Sequence, residues 1–375
     1  MSKVVVLGGA GDMGSRTVIE LCREDGAGQG FVDKVVIADF RLDKAQKLAA
    51  EIGVKARAVF VDARQKQSVV DVVRGAGVVV NTVGPFYRYA EGVLAAVIEA
   101  GVDYVDICDD DDATMKLLAF DSMARRRGVT AVIGNGWTPG ISNLLARMGA
   151  DQMDQARDID LVWVGSTADS EGEAVIKHVI HAITRDVPMY LDGAWTSVPA
   201  LSGVKTFPIS DPIGPVPAYF CGHPEALTIP RFIDGLRNVT VRGYLLPDEI
   251  QKVARGLIDL DLVSTEKKID AIAGLMQPML PLLSSIGEKT PPPLSAIRVD
   301  VWGVKGGKEA HFGYCSVDSM DRLTGIPPAV VAKMLLRGQI PKLGGVFAPE
   351  GIVPPKPFFA ALAERDIEVE EVGEP

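Results

Sequence analysis

The sequence predicts an α/β protein: a doubly wound parallel sheet followed by a second α+β domain containing a mixed or antiparallel sheet. Three observations carry this expectation. The first third alternates short apolar runs with amphipathic stretches, and a glycine-rich loop follows the first of those runs. Past Gly140 the alternation gives way to strand-like runs joined by turns and long loops.

In order, KVVVLG, DKVVIAD, ARAVFVD, GVVVNTV, DYVDI and TAVIG read as strands. SRTVIELCRED, LDKAQKLAAEI and AEGVLAAVIEAG read as the helices between them. Continuously apolar strands separated by helices indicate a parallel sheet covered on both faces. Beyond Gly140, DIDLVWVG, VKTFPI, AYFCG and NVTVRGYL read as strands, and IRVDVWGVKGGKEAHFGYCSVD as a hairpin turning at KGGK. EKTPPPL reads as a stiff, extended connector. PPAVVAKMLLRGQI and PFFAALAERDIEVEEV return to helix-then-strand character. The expected organisation is a dinucleotide-binding domain over 1–137, a substrate and dimerisation domain over 138–318, and a segment over 319–375 that returns to the first domain. The middle domain is then an insertion.

At 375 residues, 47% hydrophobic and 23% charged, the chain can bury a large core and suggests two domains. A net charge of −10 and a pI near 5.1 argue against nucleic acid as a partner, because phosphate binding needs clustered Lys and Arg. The densest basic run, Arg125–Arg127, reads as a helix end, where the macrodipole favours cations. Four widely spaced cysteines with no CxxC pair give neither a zinc ribbon nor a disulfide framework. No signal-peptide pattern opens the chain, and the most apolar stretch, AIAGLMQPMLPLLSSIG, is interrupted by two prolines. The expectation is a soluble cytoplasmic protein with no membrane partner. Within that stretch, LMQPMLPLL reads as core or as the surface of a homodimer.

VVVLGGAGDMG places Gly8, Gly9, Gly11 and Gly14 directly after a strand and at the start of a helix. Such a loop lets the backbone approach a pyrophosphate where free amides and the helix dipole favour negative charge. Gly9, Ala10, Gly11, Asp12, Met13 and Gly14 are therefore the expected cofactor contacts, and the first domain reads as a Rossmann domain. Asp39, ending the second strand, would hydrogen-bond the ribose hydroxyls and favour NAD; Arg41 would instead accept the 2′-phosphate of NADP. NAD is the expected cofactor, with NADP possible. Asp62, ending the third strand, would accept from the adenine amine or cap a loop. Val83, Gly84 and Pro85 form a turn at the carboxyl end of the fourth strand, beside the nicotinamide half.

Short-chain reductases also use this glycine spacing, but they need a Tyr-xxx-Lys pair. The residues four beyond the seven tyrosines are Glu91, Val93, Cys108, Ala194, His223, Asp248 and Asp318, so that pair is absent. The stretch VVNTVGPFYRYAEGVLAAVIEAGVDYVDICDD, followed by GVTAVIGNGWTPGISNLLA, resembles the saccharopine dehydrogenase-like family. The shared marks are the GPF/Y-x-x-Y turn, the YVD strand end followed by acids, and a Gly-x-x-Pro-Gly-x-x-N helix start. The resemblance is strong over about residues 3–150 and weaker to the C-terminus. It implies redox chemistry at a C–N bond of an amino acid or polyamine, as in saccharopine, carboxynorspermidine or lysine 6-amine dehydrogenation. Trans-acting enoyl reductases look similar in the same half.

Ligands of an open doubly wound sheet lie outside the carboxyl ends of its strands. There the sequence brings Gly84 to Tyr89, Asp106 to Asp112 and Trp137 to Asn143. Asp110 to Asp112 suit the first turn of a helix, whereas Asp106 or Asp109 is expected to contact a substrate amine. Thr138 reads as a helix cap, Pro139 as first-turn, and Asn143 as facing the cofactor. Tyr89 and Trp137 are candidate substrate contacts. All four histidines fall in the middle domain. His178 and His181 share a helix face, but no compatible carboxylate spacing supports a metal, so none is expected. Lys177, His178, His181 and His223 are candidates for proton transfer or for binding a substrate carboxylate, and Arg231 is a candidate carboxylate clamp. The expected chemistry is hydride transfer, with His178 or His181 as general base and Asp109 as second choice. The alternatives are a dinucleotide sensor without turnover and an enoyl or ene reductase.

Overall fold

The computed structural model describes residues 2–24, 31–169, 172–279 and 293–375. The chain divides into two compact units, Met1–Ile141 with Asp321–Arg365, and Ser142–Met320 with Asp366–Pro375.

The first unit is built on a seven-stranded parallel sheet. The six runs read from the sequence become β1 (Lys3–Leu7), β2 (Lys34–Asp39), β3 (Ala56–Phe60), β4 (Val78–Asn81), β5 (Asp103–Asp106) and β6 (Thr130–Val132). A seventh, β15 (Gly345–Phe347), comes from the C-terminal part and pairs with β6. The order is β15-β6-β5-β4-β1-β2-β3. Val4–Leu7 and Val78–Asn81 are buried at every position. Successive strand residues point to opposite faces, so both faces of the sheet are covered. Helices α1 (Asp12–Cys22), α2 (Leu42–Ile52), α3 (Lys66–Val73), α4 (Phe86–Ala100), α5 (Asp111–Leu118) and α6 (Asp121–Arg127) connect the strands. Arg125–Arg127 close α6, and Gly128 follows at φ +64°, which is the helix stop read from the sequence.

The second unit carries a nine-stranded mixed sheet. Its strands are β7 (Gln155–Ser166), β8 (Asp186–Leu191), β9 (Ala194–Pro199), β10 (Lys205–Pro208), β11 (Pro215–Phe220), β12 (Asn238–Leu246), β13 (Ser295–Lys305), β14 (Lys308–Asp318) and β16 (Glu370–Val372). The main path runs β10-β11-β12-β7-β13-β14-β16, while β8 joins β12 and β9. β12 and β7 are parallel over nine residue pairs, and the other pairings are antiparallel. β13 and β14 turn through Gly306 and Gly307, both at positive φ, as a two-residue hairpin requires. The β8–β9 hairpin went unread in the sequence, although its turn, Asp192-Gly193, is a strong hairpin signal. Helices α7 (Ile141–Ala150), α8 (Glu173–Ile183), α9 (Glu225–Phe232), α10 (Glu249–Asp259) and α11 (Glu266–Met276) complete the unit.

α12 (Met320–Leu336) and α13 (Pro355–Ala363) precede and follow β15. The sequence reading placed all of 319–375 with the first domain. The structure corrects its last part: β16 pairs with β14, Arg298 donates to the Gly373 carbonyl at 2.6 Å, and Ser316 to the Glu368 carbonyl at 2.7 Å. The connector EKTPPPL and the end of LMQPMLPLL lie largely outside the described residues.

Candidate cofactor and proton-transfer sites

The glycine loop leaves β1 and opens α1. Gly8 sits at φ +74°, a region closed to most side chains, and a Cβ there would lie 3.0 Å from the Thr82 backbone. A Cβ on Gly14 would lie 2.2 Å from the Gly8 carbonyl oxygen and 2.7 Å from Thr82 Oγ1, so α1 can approach the strand ends only with glycine there. Gly11 is different. Within 4 Å its Cβ would meet only Gly8 O at 3.3 Å and Arg41 Nη2 at 3.9 Å, so that side of the loop is open. No side chain caps α1, which begins at Asp12 behind Gly11. Its first-turn amides, with Met13 and Gly14 among them, suit an anion. The cradle fits the pyrophosphate of a dinucleotide.

Asp39 stands where the sequence placed it, at the end of β2. Its Oδ2 accepts the Ala10 amide at 2.9 Å and its Oδ1 the Arg41 amide at 2.8 Å. Arg41 Nε lies 3.8 Å from the same carboxylate, with half of its side chain exposed. Phe40 is 58% exposed, meets Phe60 at a tilt of 47° with ring centroids 5.6 Å apart, and lies under the Arg64 guanidinium at 5.3 Å. Asp62 holds that guanidinium in a fork, with bonds of 2.8 and 2.9 Å, and also accepts from the Arg64 amide and Gln65. The Arg64 hydrogen bonds hold the Asp62 carboxyl down to about 2. Of the two roles expected for Asp62, the loop brace is the one its contacts express.

The carboxyl ends of β4, β5 and β6 are linked by buried hydrogen bonds. Asn81 accepts the Val83 amide at 3.1 Å and donates to Tyr104 Oη at 2.9 Å, and Tyr104 donates to Asp106 Oδ2 at 2.9 Å. Asp106 Oδ1 accepts the amides of Gly134 and Cys108 at 2.7 and 3.0 Å. Burial pushes the Asp106 carboxyl up to about 6, against the pull of these donors. This corrects the expected amine contact at Asp106: the residue is fully buried, its Oδ1 braces the chain at Cys108 and Gly134, and its Oδ2 holds Tyr104, which in turn holds Asn81. Asp109 next to it is half-buried, and Tyr89 lies half-buried on α4. Gly84-Pro85 leads directly into α4. Trp137 is buried in the loop after β6. Thr138 is not the cap expected there. Gly136 and the Pro139 carbonyl close a turn at 2.8 Å, and α7 begins only at Ile141.

In the second unit a line of buried polar groups joins three helices and a loop. Ser142 on α7 donates to Glu225 Oε1 at 2.7 Å, and Glu225, the first residue of α9, has Oε2 3.3 Å from His223 Nδ1. His223 Nε2 lies 3.2 Å from His178 Nε2 on α8. Ser142 and Glu225 are fully buried, His223 is 2% exposed and His178 7%. The two imidazoles meet edge-on, their centroids 5.1 Å apart, and Trp163 of β7 flanks His223 at 5.6 Å. Gly222 donates to the Ala182 carbonyl at 2.8 Å, tying the His223 loop to α8. Ile176 and Ile180 anchor α8 against Ile269 and Ala273 of α11. Asn143, expected from the sequence to face the cofactor, joins this part of the unit. It is fully buried and donates to Thr228 Oγ1 of α9 at 3.2 Å.

Three other candidates lie apart from this line. Lys177 pairs with Glu173 at 2.6 Å and Asp270 at 2.9 Å; burial opposes its charge, but the two acids raise its pKa. Arg231 stacks on Trp195 at 5.0 Å and donates to the Leu227 carbonyl. His181 lies half-buried one turn beyond His178. Sequence reasoning missed Glu225, Ser142, Arg64, Tyr104 and Asn81. The dipeptide spacing in HPE, a histidine two residues ahead of an acid opening a helix, was the available signal for Glu225.

Residues 4–132 match the family described as saccharopine dehydrogenase NADP binding domain, and residues 136–367 that described as saccharopine dehydrogenase C-terminal domain. Among solved structures, the chain is similar to the apo saccharopine dehydrogenase (L-Glu forming) of Saccharomyces cerevisiae. That likeness covers 100% of both chains at 15% identity and a TM-score of 0.68, and it shows the fold. A curated relative, a lipid droplet localized protein of Caenorhabditis elegans, is 31% identical over 94 residues, 25% of this chain. The match spans 22% of that protein's length. Among the described residues, no helix is long and apolar enough to cross a membrane.

Proposed function

The chain belongs to the saccharopine dehydrogenase family, and from that premise we propose that it is an NADP-dependent oxidoreductase acting on a C–N bond of an amino acid or polyamine-like substrate. The observation that carries this reading is the buried contact between His178 and His223, backed by Glu225. Oxidising an amine requires its neutral form, so a group must hold the proton that leaves nitrogen. His178 is the proposed general base and Asp109 the second candidate. The nicotinamide, when bound, supplies the hydride acceptor.

The preference for NADP rests on the charges around β2. The two oxygens of Asp39 accept the amides of Ala10 and Arg41, and Arg41 lies against the same carboxylate. The Arg41 guanidinium lies 3.9 Å from where a Gly11 Cβ would stand, on the open side of the loop, and Arg64 lies over the exposed Phe40 ring at 5.3 Å. Guanidinium forks match phosphate geometry, which supports a 2′-phosphate there. A homodimer and a cytoplasmic location remain part of the reading.

The test is to incubate purified protein with NADP and panels of amino acids, diamines and polyamines, following nicotinamide absorbance. Amine-dependent reduction that His178→Ala lowers by roughly 10²-fold or more, with cofactor binding kept, is the expected result. Turnover of an enoyl substrate with none of any amine would replace this reading by the reductase alternative.

A further inference from the structure

We propose that β9 is the surface on which a second copy of this chain docks, its β9 antiparallel to the first about a two-fold axis at Thr196. The inference rests on the homodimer in the reading above and names its surface; it does not depend on the substrate. β9 pairs only with β8, so its outer side is a sheet edge. Ala194 to Ser197 are all exposed, Trp195 by 48%. The β8–β9 turn has two residues, Asp192 and Gly193, so Leu191 and Ala194 exchange backbone hydrogen bonds, and so do Met189 and Thr196. Tyr190 between them turns its backbone to β12, where it pairs with Val239. Trp195 opposite Tyr190, and Ser197 two residues on, therefore turn their N–H and C=O groups outward.

An open edge invites pairing, and charge on the strand usually guards it. Among the described residues the other sheet edges are guarded or covered. β3 carries Arg57, β10 Lys205 and β16 Glu370 and Glu371, while β15 is buried throughout. β9, AWTSVP, has no charge. Two copies of it match in one register. With Thr196 facing the partner's Thr196, Trp195 exchanges both backbone bonds with the partner's Ser197, and Ser197 does so with the partner's Trp195. Each copy gives two N–H and two C=O groups, and all of them are satisfied. Centring on Ser197 would set Trp195 against the partner's Pro199; proline has no N–H, and the Pro199 carbonyl already accepts from Ser202 Oγ at 2.6 Å. Centring on Trp195 would use Gly193, whose amide already donates to the Arg237 carbonyl at 2.8 Å. In the favoured register no like charges meet, and the central threonine pair is a favourable one. Both edges are then covered, so assembly stops at two copies.

The test is light scattering and sedimentation of the full chain over roughly 1–100 µM, because a short edge contact is expected to dissociate in that range. A dimer of about 80 kDa, twice the 40.0 kDa chain, is expected. Ser197→Pro removes an outward N–H without touching the β8 ladder, so the fold and melting temperature should hold while the mass falls to that of one chain. Thr196→Cys should form a covalent dimer under mild oxidation, since the axis brings the two side chains within disulfide reach. Ala194→Cys, whose opposite is the partner's Val198, should not. A single-chain mass for the unaltered protein across the range overturns both this proposal and the homodimer. A dimer that survives Ser197→Pro, or that crosslinks through Ala194→Cys and not Thr196→Cys, keeps the homodimer and overturns β9 as its surface. If Ser197→Pro does not fold, the two cysteine variants decide.

Discussion

Asp110 Oδ2 accepts the backbone amide of Tyr87 at 2.8 Å, so an acid from the loop after β5 caps the neighbouring helix α4. Asp110 stands at the N-cap position of α5, yet its carboxylate makes no cap bond to that helix. The acid-rich run therefore divides its labour. Asp103 accepts the Thr130 amide at 2.9 Å and pairs with Lys342 at 2.7 Å, and Asp106 braces the strand ends. Asp112 bonds the Ala113 amide at 2.9 Å. Much of the charge that looked like a cation site in the sequence is spent on backbone donors.

Removing that cap has a measurable cost. Asp110→Ala is expected to destabilise the dinucleotide-binding unit by about 1–2 kcal/mol in denaturant unfolding, because an N-cap acceptor is lost from a buried helix start. Asp110→Asn keeps an acceptor and should cost less. Equal losses in the two variants would show that charge, not the hydrogen bond, is what matters.

Gly14 tolerates no side chain. Gly14→Ala puts a Cβ 2.2 Å from a backbone oxygen that cannot rotate away, so the loop and α1 must separate. Nicotinamide binding, followed by fluorescence, should weaken at least about tenfold, and the fold should lose roughly 1–3 kcal/mol. Undiminished binding would mean that the pyrophosphate lies elsewhere.

Asp106 links stability to pH. Its carboxyl is raised from 3.8 to about 6 in the fold, so between those values the folded chain binds more protons than the unfolded one. The group therefore favours folding at low pH, and its contribution falls as pH rises through about 6, by on the order of a few kcal/mol. Asp106→Asn cannot titrate and is less stable because an amide offers the amides and Tyr104 fewer acceptor sites. The stability gap between wild type and Asp106→Asn should narrow as pH rises from about 4 to above 6. A gap that widens over that range would reverse the sign assigned to the burial.

The proposed contact of Arg41 with a 2′-phosphate is tested by its removal. Arg41→Ala should weaken NADPH by roughly tenfold, about 1.4 kcal/mol, and leave NADH nearly unchanged. Arg64→Ala should act in the same direction but less, since Asp62 already holds that guanidinium. Tighter NADH than NADPH binding in the unaltered chain would return the specificity to Asp39.

By itself the sequence determined what depends on neighbours along the chain. Apolar runs and helical spacing located β1 to β6, the glycine spacing located the dinucleotide cradle, and KGGK located the β13–β14 turn, because each is set by local backbone geometry and periodicity. Tertiary structure decided which side chains meet. Tyr87 and Asp110 are 23 positions apart, and Ser142 and Glu225 are 83 apart; no local pattern registers such pairs. The same long-range bonding claims Asp106 for the strand ends rather than for a substrate amine, since a buried polar group is taken by whatever donor or acceptor folding brings beside it. β16 also crossed to the second sheet, because an edge strand goes where unpaired backbone is exposed, and only the assembled sheet defines that edge.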